Sequence, residues 1–172
     1  MTTRISVPLS KMDEKFISEE IFWKVISMLD WSQEDDDDAV LAPAVDFLSN
    51  MEPDTIYLFQ NTLAEKLFQL DKKAYAENLG EDSYHRDKPF SSDNFLYARA
   101  CVVANGKEYY EKVLANPSQM PRDLSFEALL SLAGNAYKKK TGQTFDYSHT
   151  ISHETFSNPE GWEQTLWDRI GV

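Results

Sequence analysis

The chain has 172 residues, of which 42% are hydrophobic and 13% aromatic, and this composition predicts a single folded globular domain, residues 1–172. Acidic side chains outnumber basic ones by 29 to 17, and a net charge of -12 argues against nucleic-acid or anionic-membrane partners. The apolar runs are too short to cross a bilayer and the N-terminus has no signal-peptide pattern, so we expect a soluble cytoplasmic protein. The single cysteine, Cys101, excludes an internal disulfide.

Helical periodicity dominates the first half of the chain. Ser18 followed by two glutamates predicts a helix start, and apolar residues at helical spacing continue to about Trp31. A second, shorter helix is expected over residues 41–48, with Pro43 in its first turn or at its start. Asp54 is expected to cap the next helix, the most clearly amphipathic one. Its apolar positions recur every three or four residues and are Ile56, Phe59, Leu63, Leu67 and Leu70.

The middle of the chain predicts two helices that meet at a glycine. A polar, proline-containing loop follows Gly80. Ser92 or Asp93 is then expected to cap a helix that Gly106 stops, and another helix follows over residues 107–115.

The last third of the chain predicts one long helix, an irregular stretch and one short helix. Ser125 is expected to cap a helix that runs past Tyr137 and ends at Gly142. Residues 143–158 are poor in aliphatic side chains, and Asn158 can open the final helix. Because no segment alternates like a strand, we predict an all-α fold, a single compact domain of six or seven helices.

Part of this pattern resembles a known family. The early segment 19–23 and the late pattern Phe126-Glu-x-Leu-Leu, Ala-Tyr137 and Thr-Gly142 contribute to the resemblance, and its central block consists of Asp93, Phe95, Arg99, Gly106, Tyr110 and Pro117. The bacterial domain-of-unknown-function family 4240 has an early aromatic helix, then Asp-x-Phe-x-x-x-Arg, a glycine seven residues later, an aromatic and a proline. The resemblance covers about residues 16–142 and leaves residues 143–172 as an extension. It implies a helical, soluble bacterial protein and carries over no catalytic residue. Ala98 and Cys101 stand where the family usually has an aromatic residue and a tryptophan.

Arg99 is the candidate anchor for a ligand. Apolar residues three and four positions away on its helix predict that its stem is covered, so its guanidinium needs a carboxylate or several carbonyls. We favour a structural ion pair inside the domain. The alternative is an anion site that holds a substrate carboxylate or phosphate, with Asp93 beside it. A helix cap is the preferred role of Asp93.

A run of carboxylates over residues 34–38 is the strongest local charge. Its aspartates are Asp35, Asp36, Asp37 and Asp38. The favoured interpretation is a solvated loop that stabilises the N-terminus of the following helix. A cation site is less well supported, because a calcium loop needs spaced ligands and a turn glycine. The third interpretation is a surface that docks a basic protein.

The histidines offer one weak metal candidate. His149 and His153 are four residues apart, with Glu154 next to the second and Asp146 nearby. The surrounding serines and threonines form helices poorly, so we favour an ordinary surface segment over a metal site.

Two tryptophans near the C-terminus, Trp162 and Trp167, are expected to pack onto the domain, and would be partner anchors if exposed. Cys101 lies among apolar residues and is expected to be a buried, inert thiol. Phosphate-binding and serine-hydrolase motifs are missing, and no cofactor is expected.

Two functions from different classes therefore remain. The first, which we favour, is a non-enzymatic interaction module, for example an immunity-type inhibitor of a basic protein. The second is a small enzyme or ligand-binding protein with Arg99 as its anion site. The oligomeric state is left open.

Overall fold

The computed structural model describes residues 15–148 and 151–162, and in these residues the chain is helical without any β-strand. The α-helices are α1 (Glu19–Ser27), α2 (Asp37–Ser49), α3 (Pro53–Gln69), α4 (Lys73–Ala76), α5 (Ser92–Ala104), α6 (Lys107–Ala115) and α7 (Leu132–Thr141). Short 3₁₀ helices are Trp31–Gln33, Gly80–Asp82, Pro117–Gln119 and Glu127–Ser131, and residues 159–162 are also helical. The all-α prediction with six or seven helices is confirmed.

Local signals place several helix ends where the sequence predicts them. The Ser18 hydroxyl accepts a hydrogen bond from the backbone N–H of Ile21 and caps α1. Gly106 has a φ of 101° between α5 and α6, and Gly142 ends α7 in the left-handed conformation, with a φ of 74°. Glycine adopts these angles without steric cost, so these two positions let the chain change direction sharply.

The position of Pro43 corrects the sequence prediction. Pro43 lies inside α2 instead of in its first turn, because the helix begins at Asp37, well before the proline. The Asp36 carboxylate caps this helix by accepting from the N–H of Ala39, and Asp38 lies in its first turn. The acidic run therefore starts α2, and the helix tolerates a proline that cannot donate to the carbonyl of Ala39.

Three of the predicted helix caps are also wrong. Asp54 lies within the first turn of α3, which begins at Pro53, since proline suits a first helical position. Ser91, one residue earlier than expected, caps α5 by accepting from the N–H of Asn94. Ser125 caps nothing, because the chain first forms the 3₁₀ helix Glu127–Ser131 and only then α7.

The core is built around α3. Its predicted apolar stripe is fully buried, with 0% exposure at Ile56, Phe59, Leu63, Leu67 and Leu70. Burying each of these side chains contributes about 1.5–3 kcal/mol. Helix α3 packs against α5 and α7, while α2 packs against α1 and α7. The amphipathic pattern read from the sequence therefore corresponds to the centre of the domain.

The chain beyond α7 returns across this core. Phe145 packs against the rings of Tyr57 and Tyr137, with centroids 4.7 and 5.1 Å away. Trp162 is 1% exposed and lies among aromatic rings that include Phe95, whose centroid is 6.1 Å away. Phe145 and Trp162 thus supply part of the core. None of the helices in the described residues is long and apolar enough to cross a membrane.

Candidate functional site

Arg99 is fully buried on α5, with 0% exposure. One terminal nitrogen donates to the carbonyl oxygens of Leu67 (2.9 Å) and His153 (3.0 Å), and the other donates to the hydroxyl of Thr155 (3.0 Å). Its guanidinium carbon lies 4.6 Å from the ring centroid of Phe95. Burial lowers the pKa of Arg99 to about 10, although attraction from more distant carboxylates opposes this shift.

Asp71, which the sequence did not single out, is the second fully buried charge in this region. Its carboxylate accepts from the backbone N–H groups of Phe156 (3.1 Å), Ser157 (2.7 Å) and Asn158 (3.0 Å). It also accepts from the indole N–H of Trp162 at 2.8 Å. Four donors thus compensate for removing this carboxylate from water.

The two residues of the predicted ligand pair are in different environments. Asp93 is exposed in the first turn of α5, whereas Arg99, further along the same helix, is in the interior. The structural ion pair favoured for Arg99 is wrong, because Arg99 binds backbone and hydroxyl oxygens instead and forms no ion pair within 4.0 Å among the described residues. A ligand at Arg99 remains a prediction.

The two C-terminal tryptophans and the histidine pair fall partly outside the described residues. Trp162 packs into the core, whereas Trp167 and His149 lie outside the described range. The imidazole of His153 is buried and its Nε2 atom is 3.8 Å from a carboxylate oxygen of Glu154. Within the described residues, no three His, Cys, Asp or Glu side chains converge on one point. The metal candidate stays a prediction.

The carboxylates of residues 34–38, named here the acidic turn, are all exposed. Just before them, the 3₁₀ helix Trp31–Gln33 presents Trp31, which is 41% exposed. Asp30 caps this helix by accepting from the N–H of Ser32 (3.1 Å). An exposed indole thus lies beside five consecutive carboxylates. The sequence predicted the carboxylates, but it placed Trp31 at the end of a buried helical face.

Trp31 packs next to a cavity that is lined partly by carboxylates. Its ring centroid is 5.0 Å from that of Phe126, and the neighbouring Ser125 lines a cavity of about 280 Å³. This cavity is named here the carboxylate pocket. Its remaining lining residues are Leu79, Glu81, Asp82, Asn94, Ala98, Asp123 and Leu124.

Backbone geometry holds the carboxylate pocket in shape. The Asp123 carboxylate accepts from the N–H of Glu81 (3.0 Å), and the N–H of Asp123 donates to the carbonyl of Leu79 (3.1 Å). Asp123 has a φ of 57°, a left-handed conformation that aspartate tolerates better than most residues. Gly80 has a φ of 84°, and an added Cβ would lie 2.6 Å from an Asp123 carboxylate oxygen, so a larger residue would strain the backbone and displace the Asp123 side chain. The pocket joins residues about 40 positions apart, and no local sequence pattern predicted it.

The fold and these surfaces define an acidic all-α protein with an exposed tryptophan beside a carboxylate-rich face. The chain belongs to a family described as "Protein of unknown function (DUF4240)", whose model matches residues 17–139. This confirms the resemblance read from the Asp93 to Pro117 block. No curated protein and no solved structure matches the chain.

Proposed function

We propose that the protein is a non-catalytic binding protein that docks a basic partner protein. The binding surface, named here the acidic face, comprises Trp31, the acidic turn and the carboxylate pocket. The observation that carries the proposal is the exposure of Trp31, which at 41% is the most exposed aromatic side chain among the described residues, ahead of Phe16 (38%) and Phe156 (37%). Tryptophan is the residue most enriched among those that dominate binding energy at interfaces.

Charge and shape on the acidic face are complementary to a basic partner. The five carboxylates of the acidic turn attract a positively charged surface over a distance of about 8 Å at physiological salt. The carboxylate pocket has the size for a lysine or arginine side chain, with Glu81, Asp82 and Asp123 available to its charged end. Leu124, 62% exposed, lines the same pocket and offers an apolar surface for the stem of that side chain.

The particular case we favour is an immunity-type inhibitor that covers the basic active site of a toxin. An enzyme that binds nucleic acid or another polyanion needs a positive surface, and a net charge of -12 with a clustered acidic face complements such a surface. The proposal includes the expectation of a cytoplasmic bacterial protein.

The test compares two variants that lose the same amount of charge. The first replaces Asp35, Asp37 and Asp38 by asparagine and keeps Asp36, because Asp36 caps α2. The control replaces the exposed residues Glu77, Glu108 and Glu111 by glutamine. Each immobilised protein is used to capture basic proteins from a lysate of its source bacterium at low and at moderate salt.

Association kinetics with the captured protein then decide the outcome. We expect neutralisation of the acidic turn to slow association about tenfold or more and to flatten its salt dependence, while the control variant keeps wild-type rates. Equal losses in both variants would show that net charge alone attracts the partner. If neither variant changes the kinetics, the acidic face is not the docking surface.

A further inference from the structure

A second cavity, of about 450 Å³, lies between α3, α7 and the returning chain, and it is named here the Gln60 cavity. Its volume falls within the range of small-molecule sites, roughly 300–1,000 Å³. Side chains from three separate parts of the sequence line it, including Gln60 of α3, Lys138 of α7 and Phe145 of the returning chain. None of these residues belongs to the acidic face.

Gln60 is an unusual residue for the centre of the domain. It lies on the core helix α3 with only 5% exposure, and its Oε1 atom has no hydrogen-bond partner among the residues that the structure describes. A buried amide oxygen without a donor lowers stability. Since Gln60 forms part of the cavity wall, a molecule that enters the cavity can supply the missing O–H or N–H donor.

Another part of the cavity lining is a polar stripe at the start and along one face of α7. Ser131, Gly134, Asn135 and Lys138 follow one another at helical spacing, and all four line the cavity. At Gly134 an alanine Cβ would meet nothing closer than Phe145, at 3.9 Å, so packing leaves room for alanine. Glycine is a poor helix former, and its presence here leaves the cavity wider than alanine would.

Lys138 differs from the lysine that follows it. Lys139 forms an ion pair with Asp46 and lines another cavity. Lys138 lines the Gln60 cavity and has no ion pair with any described residue. The lining of the cavity therefore includes the cationic Lys138, the amide oxygen of Gln60 without a described partner, and the polar residues Ser131 and Asn135.

From this arrangement we propose that the Gln60 cavity binds a small hydroxylated organic anion. Lys138 pairs with the carboxylate or phosphate of the ligand, and the hydroxyl groups of the ligand donate to Gln60 Oε1 and exchange hydrogen bonds with Asn135. The ring of Phe145 packs against the carbon skeleton. This site is separate from the docking of a basic protein at the acidic face and does not depend on it.

Three probes test the chemistry by isothermal titration calorimetry on the full chain. Gluconate carries a carboxylate, glucose 6-phosphate carries a phosphate, and glucose carries neither. We expect one or both anions to bind, and glucose to bind at least tenfold more weakly. The anion that binds more tightly identifies the head group. Absence of binding by both anions, or equal binding of glucose, overturns the proposal.

Matched variants then locate the binding site. Lys138→Met should weaken binding of the anion at least tenfold, whereas Lys139→Met removes the same charge from the next residue and should leave binding unchanged. Equal weakening by both variants would mean general charge attraction and would overturn the assignment.

Gln60→Leu separates a ligand-binding role from a structural one. Because Oε1 has no hydrogen-bond partner among the described residues, this variant should keep or raise the thermal midpoint and still lose at least tenfold in affinity. A lowered midpoint with unchanged affinity for the probe would show that Gln60 serves the fold alone.

Discussion

Asp71 and Arg99 are both fully buried, carry opposite charges and hold the same stretch of chain, yet they form no ion pair within 4.0 Å. Asp71 accepts the N–H groups of residues 156–158, and Arg99 donates to the carbonyl of His153 and the hydroxyl of Thr155. Each charge is thus compensated mainly by hydrogen bonds to residues 153–162, named here the C-terminal latch.

The C-terminal latch lies beyond the part of the chain that matches the family model. Asp71 and Arg99 fall within residues 17–139, whereas every latch residue they bind falls outside that range. Without the latch, the matched region would contain two buried charges with few partners, which is energetically costly. We therefore regard residues 153–162 as part of the folded unit.

We expect Asp71→Asn to destabilise the protein by about 3 kcal/mol or more, because a hydrogen bond to a charged group contributes about 1.5–3 kcal/mol. An asparagine amide presents one oxygen in place of two and places an NH₂ group against the backbone N–H groups that now donate to Asp71. Urea unfolding followed by far-UV circular dichroism measures the change. Asp87→Asn, in an exposed loop, is the control and should stay within about 0.5 kcal/mol of wild type.

The Asp71 and Arg99 substitutions should be strongly non-additive. Arg99→Met alone removes three hydrogen bonds and releases one side of the latch. Once the first substitution has released the latch, the second removes fewer remaining contacts. The loss of unfolding free energy in the double variant should therefore be about 1–3 kcal/mol smaller than the sum of the two single losses. A double-mutant cycle measures this coupling. Simple additivity would mean that the two residues act independently.

Alanine substitution of Trp162 and of Trp31 should affect different properties, stability in the first case and partner binding in the second. Trp162→Ala removes a fully packed ring and a hydrogen bond to Asp71, and should cost about 3–5 kcal/mol of stability. Trp31→Ala removes a 41% exposed ring and should cost about 1 kcal/mol or less, while it weakens partner binding by about 2 kcal/mol or more. Denaturation curves and the affinity for the captured partner distinguish the two effects.

Pro43→Ala should raise stability by about 2 kcal/mol. Pro43 lies in the interior of α2 on its exposed side, and alanine would restore an N–H donor for the carbonyl of Ala39. The greater freedom of alanine in the unfolded chain offsets part of this gain, by about 0.4–1 kcal/mol. Thermal unfolding provides the measurement, and a lower midpoint would show that the proline ring itself stabilises the packing.

The pH dependence of stability should contain a contribution from Glu19. Partial burial acts to raise its pKa, but hydrogen bonds from Lys66 and Trp23 outweigh this effect, so the pKa of Glu19 lies below 4.5. Because the pKa is lower in the folded state, ionised Glu19 stabilises the fold above pH 4.5. This contribution disappears as the pH falls through the folded value.

Glu19→Gln should therefore flatten the curve of unfolding free energy against pH below 4.5. Urea titrations at a series of acidic pH values give this curve. Glu20→Gln, at the exposed neighbouring position, should keep the wild-type slope. If the two variants show the same slope, the contacts of Glu19 do not contribute to acid sensitivity.

Local sequence determined most of the helices. The Ser18 cap, the left-handed Gly142 and the apolar stripe of α3 need only neighbours within a turn or two, and all three match the predictions. The predictions that failed concern helix starts where two local signals compete. The sequence predicts Pro43 in the first turn or at the start of α2, but the capping carboxylate of Asp36 starts the helix further upstream. Net charge and the family resemblance are likewise properties of the sequence alone.

Only the tertiary structure decided which charged and aromatic residues are buried. Asp71 looks like any acidic residue at a helix end, and its donors lie 85 to 91 positions further along the chain. Trp31 and Trp162 differ in what packs against them, since the rings of Tyr84, Phe90 and Phe95 surround Trp162, whereas Trp31 stays 41% exposed. Burial depends on contacts between distant segments, and local periodicity contains no information about which segments will meet.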